Sequence, residues 1–409
     1  MPTTITPQAL RAALDSDGEL ALFDVRDEAT IRESHIFHAA YLPLVWADRR
    51  ARALATVPRR GTLVVLTGDG AASDAAQWEG WGFTNVRVLD GGLAAWEAAG
   101  YSAFRHVAGP SKALAEAARE ALAVPLWSPA DLIAAREAAT AAGTLPPLLI
   151  DVRSPAEYAR ATVPGALGLP GGEVVAAVPA LLAAQAREAG LPDDPARPVV
   201  VTCAYRTRGQ FGAASLAWWG LRTAYFLEGG TQAWVEAGGV LEPGTQPVDT
   251  AALPTTALAH PAAGNIPHVD AATVDAWLGD ESRTTYLLDP RLAPVQDYAL
   301  SPAAAARVRH VPAGQYIESV DEYTPVYRAR VVLLDAAPST RALALARWLR
   351  ASRLVDVYVL GERSTPGGIL PAGPVGEAVP GAGMIPDYTE WSRALPAAAA
   401  AELGGFVLV

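Results

Sequence analysis

At 409 residues the chain is too long for a single core and points to two to four domains. With 51% hydrophobic and 18% charged residues it reads as globular, and no run approaches the ~20 uninterrupted apolar residues of a membrane helix. A net charge of −11 argues against nucleic acid as a general partner, and a single cysteine excludes an internal disulfide.

The first residues, Met1-Pro-Thr-Thr-Ile-Thr-Pro-Gln, show no basic stretch followed by an apolar core, so no secretory signal is read there. Together with the lone thiol this gives a cytoplasmic, reducing location as the expectation. The apolar strand Ala21-Leu-Phe-Asp24-Val-Arg26 comes first, ending in Asp-x-Arg. A short turn segment follows (His38 to Pro43), then a strand over 63–67, a Trp-bearing helix, a further strand, and Asp90-Gly-Gly-Leu-Ala-Ala-Trp96. Residues 101–125 read as an Ala/Glu-rich connecting helix carrying Lys112, the only lysine of the chain.

The same order then returns. Leu148-Leu-Ile-Asp151-Val-Arg153 is followed by Val163-Pro-Gly-Ala-Leu-Gly-Leu-Pro170, a strand over 199–202, a helix over 210–219, and Glu228-Gly-Gly-Thr-Gln-Ala-Trp234. Residues 240–267, rich in Pro, Ala and Thr, read as a linker. A third copy has Tyr286-Leu-Leu-Asp289-Pro-Arg291, His310-Val-Pro-Ala-Gly314, and a strand over 331–334, but closes only on Leu360-Gly-Glu362. Beyond residue 364 come Pro/Gly clusters and one candidate helix, Ala394–Leu403. The Asp-x-Arg aspartates lie 127 and 138 residues apart, one domain each. Apolar strands alternating with helices imply α/β units with parallel sheets covered by helices on both faces.

Cys203 ends the run Pro198-Val-Val-Val-Thr202 and opens the turn Cys203-Ala-Tyr-Arg-Thr-Arg-Gly209. In such sheets ligands bind at the carboxyl ends of strands, which is where this thiol falls. The positive end of the following helix and the charges of Arg206 and Arg208 are expected to lower its pKa and make it nucleophilic. Both arginines are expected to face solvent. Asp335 occupies the thiol's place in the third copy, since Cys203 to Gly229 and Asp335 to Gly361 each span 26 residues. In the first copy Gly68-Asp-Gly-Ala-Ala-Ser73 replaces it. Copies one and three are expected to be scaffolds that pack on the middle one, cover its pocket or build an oligomer. The six histidines show no ligand spacing with cysteine, and no P-loop or G-x-G-x-x-G is present, so neither a metal nor a nucleotide cofactor is expected.

Asp-Val-Arg, Val-Pro-Gly-Ala, apolar-Thr-Cys-loop and Glu-Gly-Gly-x-x-x-Trp, in that order, resemble the rhodanese (thiosulfate sulfurtransferase) family in a multi-domain form. The resemblance implies tandem rhodanese-like domains over 1–105 (no catalytic Cys), 125–240 (catalytic) and 265–363 (degenerate), with a tail over 364–409 packing on another domain or chain. It implies that Cys203 attacks a sulfane sulfur, becomes a persulfide, and passes the sulfur to a thiol, cyanide-like or protein acceptor. Backbone N–H groups from Ala204 to Arg208, with Tyr205, Arg206 and Thr207, would then bind a small anionic donor. Asp151 and Arg153 are read as structural support of the strand end, and Trp96 and Trp234 as core anchors. Thr162 stands where the family often has histidine. Two other functions are weighed. A Cys-x5-Arg phosphatase or arsenate reductase needs arginine six positions after the cysteine, where this chain has Gly209. A non-catalytic scaffold or sulfur-sensing protein accords with two copies lacking the thiol.

Overall fold

A computed structural model describes residues 2–105, 109–250, 253, 265–293, 298–336 and 339–361. The tail over 364–409, with the helix expected at Ala394–Leu403, lies outside these residues.

The chain forms three sheets of one design. The first uses β1 (Thr4–Ile5), β2 (Leu20–Asp24), β3 (Ala40–Tyr41), β4 (Leu63–Thr67) and β5 (Val86–Leu89). The second uses β6 (Leu126–Trp127), β7 (Leu148–Asp151), β8 (Leu167–Gly168), β9 (Val199–Thr202) and β10 (Ala224–Leu227). The third uses β11 (His268–Val269), β12 (Thr285–Asp289), β13 (Val308–His310), β15 (Arg330–Leu333) and β16 (Asp356–Leu360), while β14 (Val326–Tyr327), from the same stretch of chain, joins the first sheet. The strand orders β1-β5-β4-β2-β3, β6-β10-β9-β7-β8 and β11-β16-β15-β12-β13 are equivalent, and all pairings within them are parallel. Register fixes the correspondence between copies. Asp24 pairs with Thr67 and Asp151 with Thr202, while Leu288 pairs with Leu333, so Gly68, Cys203 and Asp335 follow equivalent positions.

Strand residues alternate between two cores, as the two-residue period of a strand requires. Ala21, Phe23, Ile150, Val201, Leu288 and Val331 face one cluster that runs through all three copies. Their neighbours Leu22, Leu149 and Leu287 face smaller clusters, each confined to its own copy. Trp96 and Trp234 sit in two of these local cores, each donating its indole N–H to a carbonyl six residues on, Ser102 at 3.0 Å and Val240 at 3.2 Å. Since one face of every sheet is buried against the others, the copies form a single packed body.

Two contacts seal this packing. β14, from the third copy, adds antiparallel to the lower half of β2, while β3 pairs with its upper half, so the edge of the first sheet is covered. Copies two and three meet through equivalent parts. The helix Thr207–Trp218 packs on Thr340–Ser352, with the Trp348 indole donating to the Ser215 hydroxyl at 2.9 Å. The turn after Pro170 abuts the turn after Pro312 so closely that a Cβ on Gly172 would lie 2.7 Å from the Ala313 Cβ. The expected linker is not a free one where it is described: Glu242 bridges to Thr162 and Pro247 to Gly168, which binds this stretch onto the second copy. The connecting helix is Pro110–Ala121, and Pro110 at its first turn suits a helix start.

Candidate active site

The Cys203 loop is set by its neighbours. β9 delivers Cys203 to the end of the sheet, and the following helix begins at Thr207, three residues earlier than its sequence pattern suggests. The Glu-Gly-Gly segment then takes up the loop carbonyls: Thr231 N–H donates to the Cys203 carbonyl at 2.9 Å and Gln232 N–H to that of Ala204 at 3.2 Å. Gly230 holds a positive φ of +56°, and a Cβ there would lie 2.3 Å from the Cys203 carbonyl oxygen, so only glycine fits. The backbone N–H groups of Tyr205 and Gly209 act on the Cys203 sulfur and favour its ionised form. Gly209 also has no room for a side chain, because a Cβ would meet the Phe226 ring at 2.5 Å.

Cys203 itself is buried. Burial pushes its thiol up to about 11, against the pull of the Arg208 charge and the two N–H groups, while the Glu318 carboxylate adds to the rise. This corrects the expectation of a lowered pKa: desolvation of the sulfur outweighs the helix end and the arginines.

The arginines are corrected as well. Their side chains are only 12% and 11% exposed rather than facing solvent, and each is held by carboxylates. Arg206 Nε lies 2.7 Å from Glu116 Oε1, on the connecting helix. Arg208 donates from both Nη atoms to Glu157, at 2.7 and 2.8 Å, and its Nε lies 3.1 Å from Glu318 Oε2 of the third copy. Burial disfavours the Glu157 carboxylate, but the bonds from Arg208 and Ser154 outweigh it and hold that group at about 2.

Asp151 and Arg153 lie at the end of β7 and do not line the cavity described below. Asp151 is wholly buried, Arg153 Nη2 reaches it at 2.6 Å, and the same nitrogen donates to the Ala161 carbonyl. Thr162 donates its hydroxyl to Asp151 at 2.6 Å. Asp24–Arg26 and Asp289–Arg291 repeat this pair, at 2.6 and 2.8 Å, in the copies without a thiol.

In the third copy the equivalent loop fills itself. Asp335 accepts the N–H groups of Ala336 at 2.9 Å and Ala342 at 3.2 Å, and Arg341 Nε lies 3.3 Å from its carboxylate. The donors that would surround a bound anion are thus engaged by the chain's own carboxylate. Pro338, which has no N–H to offer this loop, lies outside the described residues.

A cavity of about 430 Å³ lies over Cys203. Ala204, Tyr205, Arg206, Thr207 and Arg208 line it, so the sequence-based site residues of this loop do converge. The other walls could not be read from the loop. Tyr41 and Trp46 come from the first copy, Lys112 from the connecting helix, and Glu318, Asp321 and Glu322 from the third copy. No local signal in the sequence marks these residues, because they reach the site only through the packing of three units. Among the described residues no cluster of three or more His, Cys, Asp or Glu side chains is placed to hold a metal ion.

The model of the rhodanese-like domain matches residues 6–99 and 129–237, which hold most of the first two sheets and their helices. The chain belongs to the rhodanese-like family. The third sheet, outside the matched residues, repeats the strand order of the other two. Among solved structures, the chain is similar to a thiosulfate sulfurtransferase from Pseudomonas aeruginosa, with a TM-score of 0.74 and 31% identity over 88% of this chain and 67% of that one. A stretch of 96 residues is 38% identical to proteins named probable adenylyltransferase/sulfurtransferase MoeZ in two strains of Mycobacterium tuberculosis. That stretch is 23% of this chain and 24% of theirs, so it spans about a quarter of the length of these curated relatives.

One consequence concerns Glu318, whose charge raises the thiol pKa. Glu318→Gln should speed alkylation of Cys203 by iodoacetamide at pH 8 by roughly three- to tenfold, the effect of about half to one pKa unit. In both proteins the rate should climb about tenfold per pH unit while the thiol remains mostly protonated. An unchanged or slower rate in the variant would show that Glu318 does not act on the sulfur.

Proposed function

We propose that the protein is a sulfurtransferase that carries a sulfane sulfur as a persulfide on Cys203, taking it from a small anionic donor such as thiosulfate and giving it to a thiol or cyanide-like acceptor. The supporting observation is the place of Cys203, at the end of a strand and the start of a helix beneath a cavity of about 430 Å³, where the Tyr205 and Gly209 N–H groups act on its sulfur. These donors favour negative charge at the position where a thiolate, and then a persulfide, has to be held. In the first step the thiol gives its proton to solvent and Sγ attacks the outer sulfur of the donor. The donor's S–S bond breaks and its electron pair leaves with the oxyanion-bearing sulfur. In the second step the acceptor attacks the terminal sulfur and the Cys203 thiolate departs.

The buried thiol makes the first step slow at neutral pH unless the bound donor or a shift of Glu318 changes its surroundings, so the rate should rise with pH. No cofactor enters either half-reaction, and a reducing compartment suits a lone unpaired thiol. Among the described residues no helix is long and apolar enough to cross a membrane.

Intact mass spectrometry of the full chain after incubation with thiosulfate tests the reading. The mass of one sulfur atom should be added at Cys203 and removed by a thiol reductant. A chain that takes no sulfur from thiosulfate, or from a persulfide donor at pH 9, is not a sulfurtransferase of this kind.

A further inference from the structure

Three cations line the cavity over Cys203: Lys112, Arg206 and Arg208. The two arginines belong to the nucleophile loop, and both are neutralised there. Arg208 spends both Nη atoms on Glu157 and its Nε on Glu318, and Arg206 is paired with Glu116. Lys112 differs. Its Nζ donates to the backbone carbonyl of Glu318 at 2.7 Å, a neutral acceptor, and among the described residues no carboxylate stands within ion-pairing distance of it. An ammonium has three donors, so two remain after that bond. Four carboxylates (Glu28, Glu318, Asp321 and Glu322) line the same cavity, and the Lys112 charge acts on Asp321 and Glu322 at longer range, both of which burial pushes toward the neutral form. An anion entering the cavity is therefore best placed against Lys112, the lining cation that makes no direct ion pair among the described residues.

We infer that Lys112 binds the oxyanion end of the sulfur donor and takes up the charge of the leaving group, so that the connecting helix, and not the nucleophile loop, supplies the donor specificity of the site. The inference rests on the sulfurtransferase reading for its chemistry and on the geometry above for the residue. As Sγ attacks the outer sulfur, the donor's S–S bond breaks and its electron pair settles on the sulfite-like leaving group. The Lys112 ammonium donates to the oxygens of that group. Its bond to the Glu318 carbonyl sets the position of Nζ, and the third copy thereby positions a group that acts on substrate in the second. Lys112 lies 91 residues before Cys203 on another element, which is why the loop motif gave no hint of it.

The test compares Lys112→Gln and Lys112→Arg with the wild-type full chain on two donors, thiosulfate and an uncharged dialkyl trisulfide. Lys112→Gln should lower kcat/KM for thiosulfate roughly ten- to a hundredfold, the effect of one charge-assisted hydrogen bond, with Lys112→Arg recovering part of the loss. The trisulfide, which has no oxyanion, should react within about twofold of wild type in all three proteins. Equal losses on both donors would mean that Lys112 only holds the helix in place, and unchanged thiosulfate kinetics would show that it does not meet the donor. Calorimetric titration of sulfite separates this inference from the function. Sulfite that binds the wild type and not Lys112→Gln supports the anion site even if no persulfide ever forms, and equal binding to both overturns it.

Discussion

Cys203→Ser should leave a folded chain of normal stability with no transferase activity and no sulfur uptake. A serine hydroxyl is smaller and more polar than the thiol, but it fits the same space and leaves the Tyr205 and Gly209 N–H groups an acceptor. What it lacks is a group acidic enough to give up its proton as the pH rises and nucleophilic enough to bond a sulfane sulfur. The loss should be complete because no second thiol exists to substitute for the first. The variant also decides between the catalytic reading and a scaffold that uses the cavity only to bind. A scaffold would keep its partner and its ligand when the sulfur is removed, and its biological activity would survive. Turnover by Cys203→Ser at the wild-type rate would sink the persulfide mechanism outright, whereas retained anion binding with no turnover is the outcome that the cavity geometry predicts.

The fold was legible because it is written three times. A continuous apolar strand ending in Asp-x-Arg, followed at fixed order by a turn, a strand and a Gly-Gly helix start, leaves few arrangements other than a parallel sheet. β4 and β9 fall on the residues expected from their apolar runs. The way the copies pack was not legible. Residues such as Phe23, Val201 and Val331 look alike in sequence whether they face a private core or the shared one, and only the assembled helices show which. β14 is a two-residue strand that no periodicity could have found, yet it covers the edge of a sheet formed some 300 residues earlier.

The site was half legible for the same reason. Cys203 and its loop announce themselves by a strand-to-helix turn, a local pattern with a local cause. The sign of the thiol pKa shift was misjudged because the sequence displays the arginines and not their partners. Glu116, Glu157 and Glu318 come from three different elements, and together they cancel the positive charge that the loop seemed to offer. Desolvation is likewise invisible in one dimension, since it depends on walls contributed by the first and third copies. The Gly-Gly of residues 229–230 served as a family marker, and its physical task is to let a helix start approach the loop carbonyls without a Cβ in the way.

Asp151→Ala should be the most destabilising single change in the nucleophile's surroundings, and its effect should fall on folding. The carboxylate is wholly buried and is held by Arg153, by the Arg153 backbone N–H at 3.1 Å and by the Thr162 hydroxyl. Removing it leaves a guanidinium that is itself only 9% exposed without a counter-charge. Breaking one side of such a buried pair costs about 3–5 kcal/mol, a large share of the ~5–15 kcal/mol that keeps a typical domain folded. Thr162→Ala should cost less, about 1.5–3 kcal/mol, because it deletes one hydrogen bond to a carboxylate that keeps its arginine. The third copy provides the control. Asp289 and Arg291 form the same buried pair beneath a loop that has Asp335 in place of a thiol. If the Asp-x-Arg pair is there to hold the strand end, Asp289→Ala should lower the urea midpoint about as much as Asp151→Ala, though no chemistry occurs above it. If the pair instead tunes the nucleophile, Asp151→Ala should cut persulfide formation in the folded fraction while Asp289→Ala is silent in both assays. The same Asp–Arg ion pair in all three copies, two of them without sulfur, makes the first outcome the expected one.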